Sequence, residues 1–207
     1  MKEHEKHLNE HEKHRTDPRI VRTRQLLKDA LIDLLQEVDV EKISVNRIAE
    51  RATINRVTFY LHYRDIPDML EKIADDMVRD IQHVLSHELP VNNNSVEETH
   101  FDKLVALLEH ISENHKFYKI ILSSKRIPIF TERLLQLLTE MISLRIYNSE
   151  NDTIISKSVV PKDIAIWHYS SALIGTIVGW LRNDMPYTPH FLAKQISVLL
   201  GLHQESG

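Results

Sequence analysis

Apolar residues recur at helical spacing through most of the chain, and polar punctuation cuts that pattern into separate segments. After Asp17 and Pro18, the residues Ile20, Leu27, Ala30, Leu31, Leu34, Leu35 and Val38 form one apolar stripe, the mark of a helix that buries a single face. Between 44 and 70 the helix starts crowd together. Ser44 stands as an N-cap before Val45, Ile48, Ala49 and Ala52, which share a face; Asn55 caps a second short helix. Asp65 caps the next, with Pro67 in its first turn, where a missing amide hydrogen costs little. On the short helix after Asn55 the pattern places Val57, Tyr60 and Leu61 inward and leaves Asn55, Arg56, Thr58 and His62 outward.

Downstream the same periodicity predicts a connecting helix over 65–88, with Met69, Leu70, Ile73, Met77, Ile81, Val84 and Leu85 inward, and a loop over 89–95. Further helices are predicted over 96–114, 116–124, 128–148, 161–183 and 189–202. Only four glycines occur, and the seven prolines all fall at helix starts or in connections. The fold class expected is therefore all-α, with an arm at 1–16, a three-helix helix-turn-helix DNA-binding domain at 17–64, and a helical ligand-binding and dimerisation domain at 65–207.

Composition adds limits. With 207 residues and 42% apolar content the chain can bury a sizeable core. No cysteine is present, so disulfides and thiolate metal sites are excluded. There is no signal-peptide pattern and no unbroken run of about 18 apolar residues, so a soluble, cytoplasmic protein without a membrane partner is expected.

Net charge is −4, which on its own speaks against a polyanion. Its distribution reverses that reading: residues 15–64 hold ten basic against seven acidic side chains, whereas 65–207 hold thirteen against nineteen. A basic head on an acidic body draws phosphates to one end only, and such binding weakens steeply with salt.

The stretch from Ser44 to Leu70 also carries a motif. Ile48-Ala49, Ala52 and Thr58-Phe59-Tyr60-Leu61-His62-Tyr63, closing with Met69-Leu70, resemble the N-terminal signature of the TetR/AcrR family of transcriptional regulators. Two positions depart from it. Thr53 stands in the turn where many members carry glycine, so the backbone there either avoids positive φ or accepts strain. Ile66 replaces the usual lysine, which leaves one common phosphate contact open. Residues 101–122 and 168–186 resemble the C-terminal part of a DhaS-like subgroup of the same family.

The motif geometry and the resemblance together nominate residues. Asn55, Arg56 and Thr58 lie near the start of the short helix, where arginine can read guanine and asparagine adenine through paired hydrogen bonds. Tyr60 and His62 resemble family positions that touch phosphate or base edges; Tyr63 is similar, or packs beneath the connecting helix. Ser44, Arg47 and Arg51 on the preceding helix are candidates for holding phosphates. In the family, an effector enters a cavity behind the connecting helix, and the candidates to line it here are Met77, Phe101, His110, Phe117, Tyr118, Met141, Trp167, His168 and Tyr169.

Ser171, Gly175 and Gly179 stand four apart on one helix face, and the last helix adds Phe191, Val198, Leu199 and Leu202. Small residues let another helix approach closely. The resemblance implies that these two helices pair with their mates in a homodimer; packing within one subunit is the other reading. Paired readers about one DNA turn apart suit a palindrome. The arm repeats HEKH at 4–7 and 11–14. It reads as a solvated extension, as an imidazole cluster able to take Zn, Cu or Ni, or as a minor-groove arm.

No Gly-rich phosphate loop, cysteine nucleophile or HExxH motif occurs, so catalysis, a cofactor and a committed metal site are not expected. The function expected is a dimeric repressor that binds a palindromic DNA operator and is released by a small-molecule effector. The alternative is a helical co-activator or interaction protein acting through a protein partner.

Overall fold

A computed structural model describes residues 17–86, 96–124, 126–148 and 160–199. The HEKH arm and Leu202 lie outside them. Among the described residues every regular element is helical, as the spacing predicts. The order is α1 (Pro18–Glu37), a 3-10 turn (Val40–Lys42), α2 (Val45–Arg51), α3 (Arg56–Tyr60), α4 (Ile66–Ser86), α5 (Val96–Glu113), α6 (His115–Ser123), α7 (Pro128–Asn148), α8 (Lys162–Arg182) and α9 (Pro189–Leu199). The chain divides into two compact units, Met1–Ile73 and Ala74–Gly207, and α4 runs through the division.

In the first unit, α1 starts where Asp17 accepts a hydrogen bond from the Arg19 amide at 2.8 Å and proline occupies the first helical turn. Its Leu27, Ala30, Leu31, Ile32 and Leu34 are buried. Ile20, Leu35 and Val38 are only half-buried, toward the ends of the stripe. The helix packs on α2, which packs in turn on α3. Ile48, Ala49, Ala52 and Phe59 complete this small core, and burying a side chain such as Phe59 is worth about 2–3 kcal/mol.

In the second unit α8 lies at the centre, packed against both α6 and α7, while α9 packs on α5. Ala165, Ile166, Leu173, Ile174, Ile177, Trp180 and Leu181 of α8 are buried. By length and composition alone α8 is apolar enough to cross a membrane, a test that central helices of globular folds also meet. It ends in a turn where Met185 N donates to Trp180 O at 2.9 Å and Asp184 N to Leu181 O at 3.2 Å, with Asp184 at φ 56°. Trp180 Nε1 donates to Tyr187 O at 2.9 Å, and Lys119 pairs with Asp184, whose carboxyl that hydrogen bond holds below its usual range.

Candidate DNA-reading face

The turn between α2 and α3 sets the geometry of this face. Ser44 caps α2, its hydroxyl accepting from Arg47 N at 3.4 Å. The helix closes with Thr53 N donating to Glu50 O at 3.0 Å and Ile54 N to Ala49 O at 2.9 Å. That pair of bonds is a Schellman cap, and it requires a left-handed residue at Thr53. Thr53 supplies it at φ 57°, so the backbone accepts the strain that glycine would avoid.

Asn55 then caps α3, its side-chain oxygen accepting from Val57 N at 2.8 Å. Phe59 anchors the helix with no exposure at all, its ring 5.6 Å from those of Tyr60 and Tyr63. The sequence pattern set Val57, Tyr60 and Leu61 inward; the structure corrects this. They are 66%, 46% and 77% exposed, and Phe59 and Tyr63 take the interior instead. A helix of five residues has one buried face, and the bulkiest apolar ring within reach of α2 claims it.

Asn55, Arg56 and Tyr60 share the exposed side, and Thr58 is half-buried. Arg56 Nη2 donates to Tyr60 Oη at 3.0 Å, with the guanidinium 5.5 Å from the ring centre. The arginine is thus held in place before any partner arrives. His62 is half-buried; burial, reinforced by the cations of Arg24 and Lys72, pushes its imidazole below the ordinary value, so it is neutral at pH 7. Tyr63, nominated for DNA, is 3% exposed, and burial pushes its phenol up. It supports the helix from beneath.

Arg47 Nη1 donates to Lys42 O at 3.1 Å, which fixes the arginine at the start of α2. Arg51 is paired with Glu37 at 2.8 Å, and the hydrogen bond holds that carboxyl below its usual range. Its charge is shared with α1 rather than presented alone. Behind α3, Asp65 accepts from Asp68 N at 2.8 Å, while Asp68 accepts from Arg64 N and from Lys72 Nζ, each at 2.9 Å. Lys72 also donates to His62 O at 3.1 Å. The Arg64 amide and Lys72 together keep the Asp68 carboxyl below its usual range. This reciprocal cap ties the end of the reading segment to the first turns of α4. The sequence pattern missed Lys72, whose reach to the His62 carbonyl no helical spacing reveals, and Arg24, whose charge bears on His62 and Tyr63.

The nominated sensor residues separate into two groups. Met77 and Tyr118 are buried, and His110 Nε2 lies 2.9 Å from Tyr118 Oη. Phe117 meets Tyr118 and Phe130 edge-on at 5.2 and 6.1 Å. Burial pushes the Tyr118 phenol well up, so it stays protonated. Phe101 packs edge-on to His190 at 5.3 Å, Met141 is half-buried, and Tyr169 packs against Ile146, Ala165 and Ile166. Trp167 and His168, expected inside, are exposed on α8, Trp167 by 63%. A groove of about 280 Å³ lies between α4 and α7, lined by Asp75, Val78, Arg79, Gln82, Arg133, Gln136, Leu137 and Glu140.

Trp167 joins another surface. Ile164, Trp167, Ser171 and Gly175 follow one exposed side of α8, with Gly179 half-buried, and Phe191, Val198 and Leu199 are exposed on α9. A Cβ added at Gly175 or Gly179 would meet nothing within 4 Å. Among the described residues, the glycines therefore make room for no neighbour.

Residues 98–201 match the TetR_C_8 family, described as the transcriptional regulator C-terminal region. The chain belongs to the TetR family of transcriptional regulators. The regulator YxbF of Bacillus subtilis is 22% identical over 174 residues, covering 82% of this chain and 42% of YxbF. DhaS of Lactococcus lactis, named as the transcriptional activator of the dhaKLM operon, is 28% identical over 99 residues, 48% of each chain. The match thus spans less than half the length of either curated relative. A crystal structure of a TetR regulator from Streptococcus agalactiae superposes with a TM-score of 0.63 at 25% identity, covering 88% of this chain and 95% of that one. These relatives are regulators, not enzymes. For a TetR-family chain the exposed side of α3 is the candidate reading surface, and its composition differs from the sequence expectation by Val57 and Leu61.

Proposed function

We propose that this TetR-family chain acts in the cytoplasm as a homodimer that reads a palindromic DNA operator through α3, represses the adjoining promoter, and is released by a small molecule bound in the second unit. The observation that carries the reading is the construction of α3: capped by Asn55, anchored by Phe59, and presenting Asn55 with an Arg56 already latched to Tyr60. A guanidinium fixed in this way is prepared for two hydrogen bonds to guanine. The apolar residues that α8 and α9 leave exposed, Trp167, Val198 and Leu199 among them, support pairing, since two readers on one symmetric duplex bind far better than one. For the effector, the His110–Tyr118 pair set among Phe117 and Phe130 offers hydrogen bonding within aromatic surroundings.

Mobility shift on the DNA upstream of the chain's own gene tests the core of this reading. Wild type should retard the duplex, and an Arg56→Ala, Tyr60→Ala double variant should not. Retention of binding by the double variant overturns the role of α3, and no binding by wild type favours the alternative of a partner-binding helical protein. DhaS is named an activator, so transcription in vitro from the bound promoter fixes the sign; a rise in transcript on adding the protein refutes repression.

A further inference from the structure

Val57 and Leu61 are the side chains on the reading segment whose exposure neither the core nor hydrogen bonding accounts for. Both are aliphatic and the more exposed of the apolar residues there, at 66% and 77%. Asn55 leads into the helix as its cap, and Leu61 keeps helical dihedrals at φ −73° and ψ −19°, so helical geometry applies through it. At about 100° per residue, Val57 and Leu61 fall about 160° from the buried Phe59 on either side, directly opposite the core. Arg56 and Tyr60 fall to one flank of that line. A segment that points two aliphatic groups outward, beside a latched arginine and within a stretch, residues 15–64, of net positive charge, matches a surface that is anionic at its rim and carries apolar groups on its floor. The major groove has that composition where thymine places its 5-methyl group among phosphates, and side-chain methyls read it by contact.

We propose that Val57 and Leu61 are specificity-determining residues that read thymine 5-methyl groups in each operator half-site. This rests on the proposal that α3 enters the major groove and adds what the sequence pattern could not, because that pattern had turned both residues inward. Arg56 and Asn55 then recognise hydrogen-bonding edges, and the aliphatic pair fixes the positions of thymine beside them.

The test uses the full chain and a duplex enriched by it from a random DNA pool. Every thymine of the enriched half-sites is then replaced by deoxyuridine, which deletes the methyl and leaves base pairing intact. Affinity should fall about fourfold for each methyl contacted, the equivalent of about 0.8 kcal/mol at 1.4 kcal/mol per tenfold. In a Val57→Ala, Leu61→Ala variant with an unchanged melting profile, thymine and deoxyuridine duplexes should bind alike. Equal binding of both duplexes by wild type overturns the proposal, as does a deoxyuridine loss that persists in the variant or an enriched half-site without thymine. Failure to enrich any duplex overturns the reading of α3 itself, a separate outcome. A variant that shifts the molecular mass in light scattering while keeping wild-type DNA affinity assigns the pair to protein contact instead.

Discussion

Replacing Thr53 by glycine should stabilise the first unit, although Thr53 is exposed. Thr53 is exposed and sits at φ 57° in the left-handed position of the cap that closes α2. For a residue with a Cβ that conformation costs about 1–2 kcal/mol, and a β-branched side chain is among the least suited to it. Glycine removes the clash but makes the unfolded chain more disordered, which costs about 0.4–1 kcal/mol. The balance is a net gain of about 0.5–1 kcal/mol. For a chain of this length that raises the melting temperature by about 2–4 °C per kcal/mol. Thr53→Ala supplies the control, because alanine keeps the Cβ and hence most of the strain. Thermal unfolding by circular dichroism, with hydrogen exchange at the Ile54 amide that closes the cap, reads the effect. A glycine variant no more stable than wild type, or an alanine variant equal to it, refutes the assignment of strain to this backbone position.

Other outcomes follow from the same structure. Acid should weaken the first unit in two windows. The unfolded chain protonates His62 near pH 6.5 while the folded imidazole, with its lowered value, stays neutral, so stability declines as pH drops below about 6.5. The Asp68 carboxyl is held low when folded, so its contribution is present above about pH 4 and is lost as pH falls through the folded value; Asp68→Asn should flatten that second decline in a pH series of urea melts. Tyr118→Phe removes the 2.9 Å bond to His110 and should cost about 1 kcal/mol in denaturant unfolding; no loss would show the bond to be unimportant. Gly175→Leu puts its Cβ where nothing lies within 4 Å among the described residues and gains about 0.8 kcal/mol of helix propensity, yet should weaken dimerisation at least tenfold in sedimentation analysis. An undiminished dimer would clear Gly175 of any interface role.

Helix starts were legible because caps are local chemistry. Ser44, Asn55 and the prolines at 18, 128 and 189 mark the observed boundaries, and the penultimate helix expected from 161 begins at Lys162. Long stripes were legible too: Met69, Ile73, Met77 and Ile81 of α4 are all buried, while Leu70, Val84 and Leu85 are half-buried at its margins. What failed was the facing of short or doubly apolar helices. Five residues of α3 make less than two turns, so no period exists to read, and apolar character alone wrongly sent Val57 and Leu61 inward. On α8, apolar residues surround much of the helix, so Trp167 could be placed on either side by composition. Its 63% exposure came from which flank α6 and α7 cover. Likewise, the grip of Lys72 on the His62 carbonyl spans ten residues and depends on a turn geometry that spacing does not encode.

If the chain pairs as proposed through α8 and α9, where Leu199 is 82% exposed and a Cβ at Gly175 or Gly179 would meet nothing within 4 Å, the pairing has a consequence for gene dosage. Where single chains predominate and only pairs hold the operator, the paired form rises with the square of chain concentration by mass action. Halving synthesis then cuts the paired form about fourfold. Such a regulator answers its own abundance more than proportionally, so a modest change in expression, or dilution by growth when synthesis lags, can shift promoter occupancy without any signal molecule.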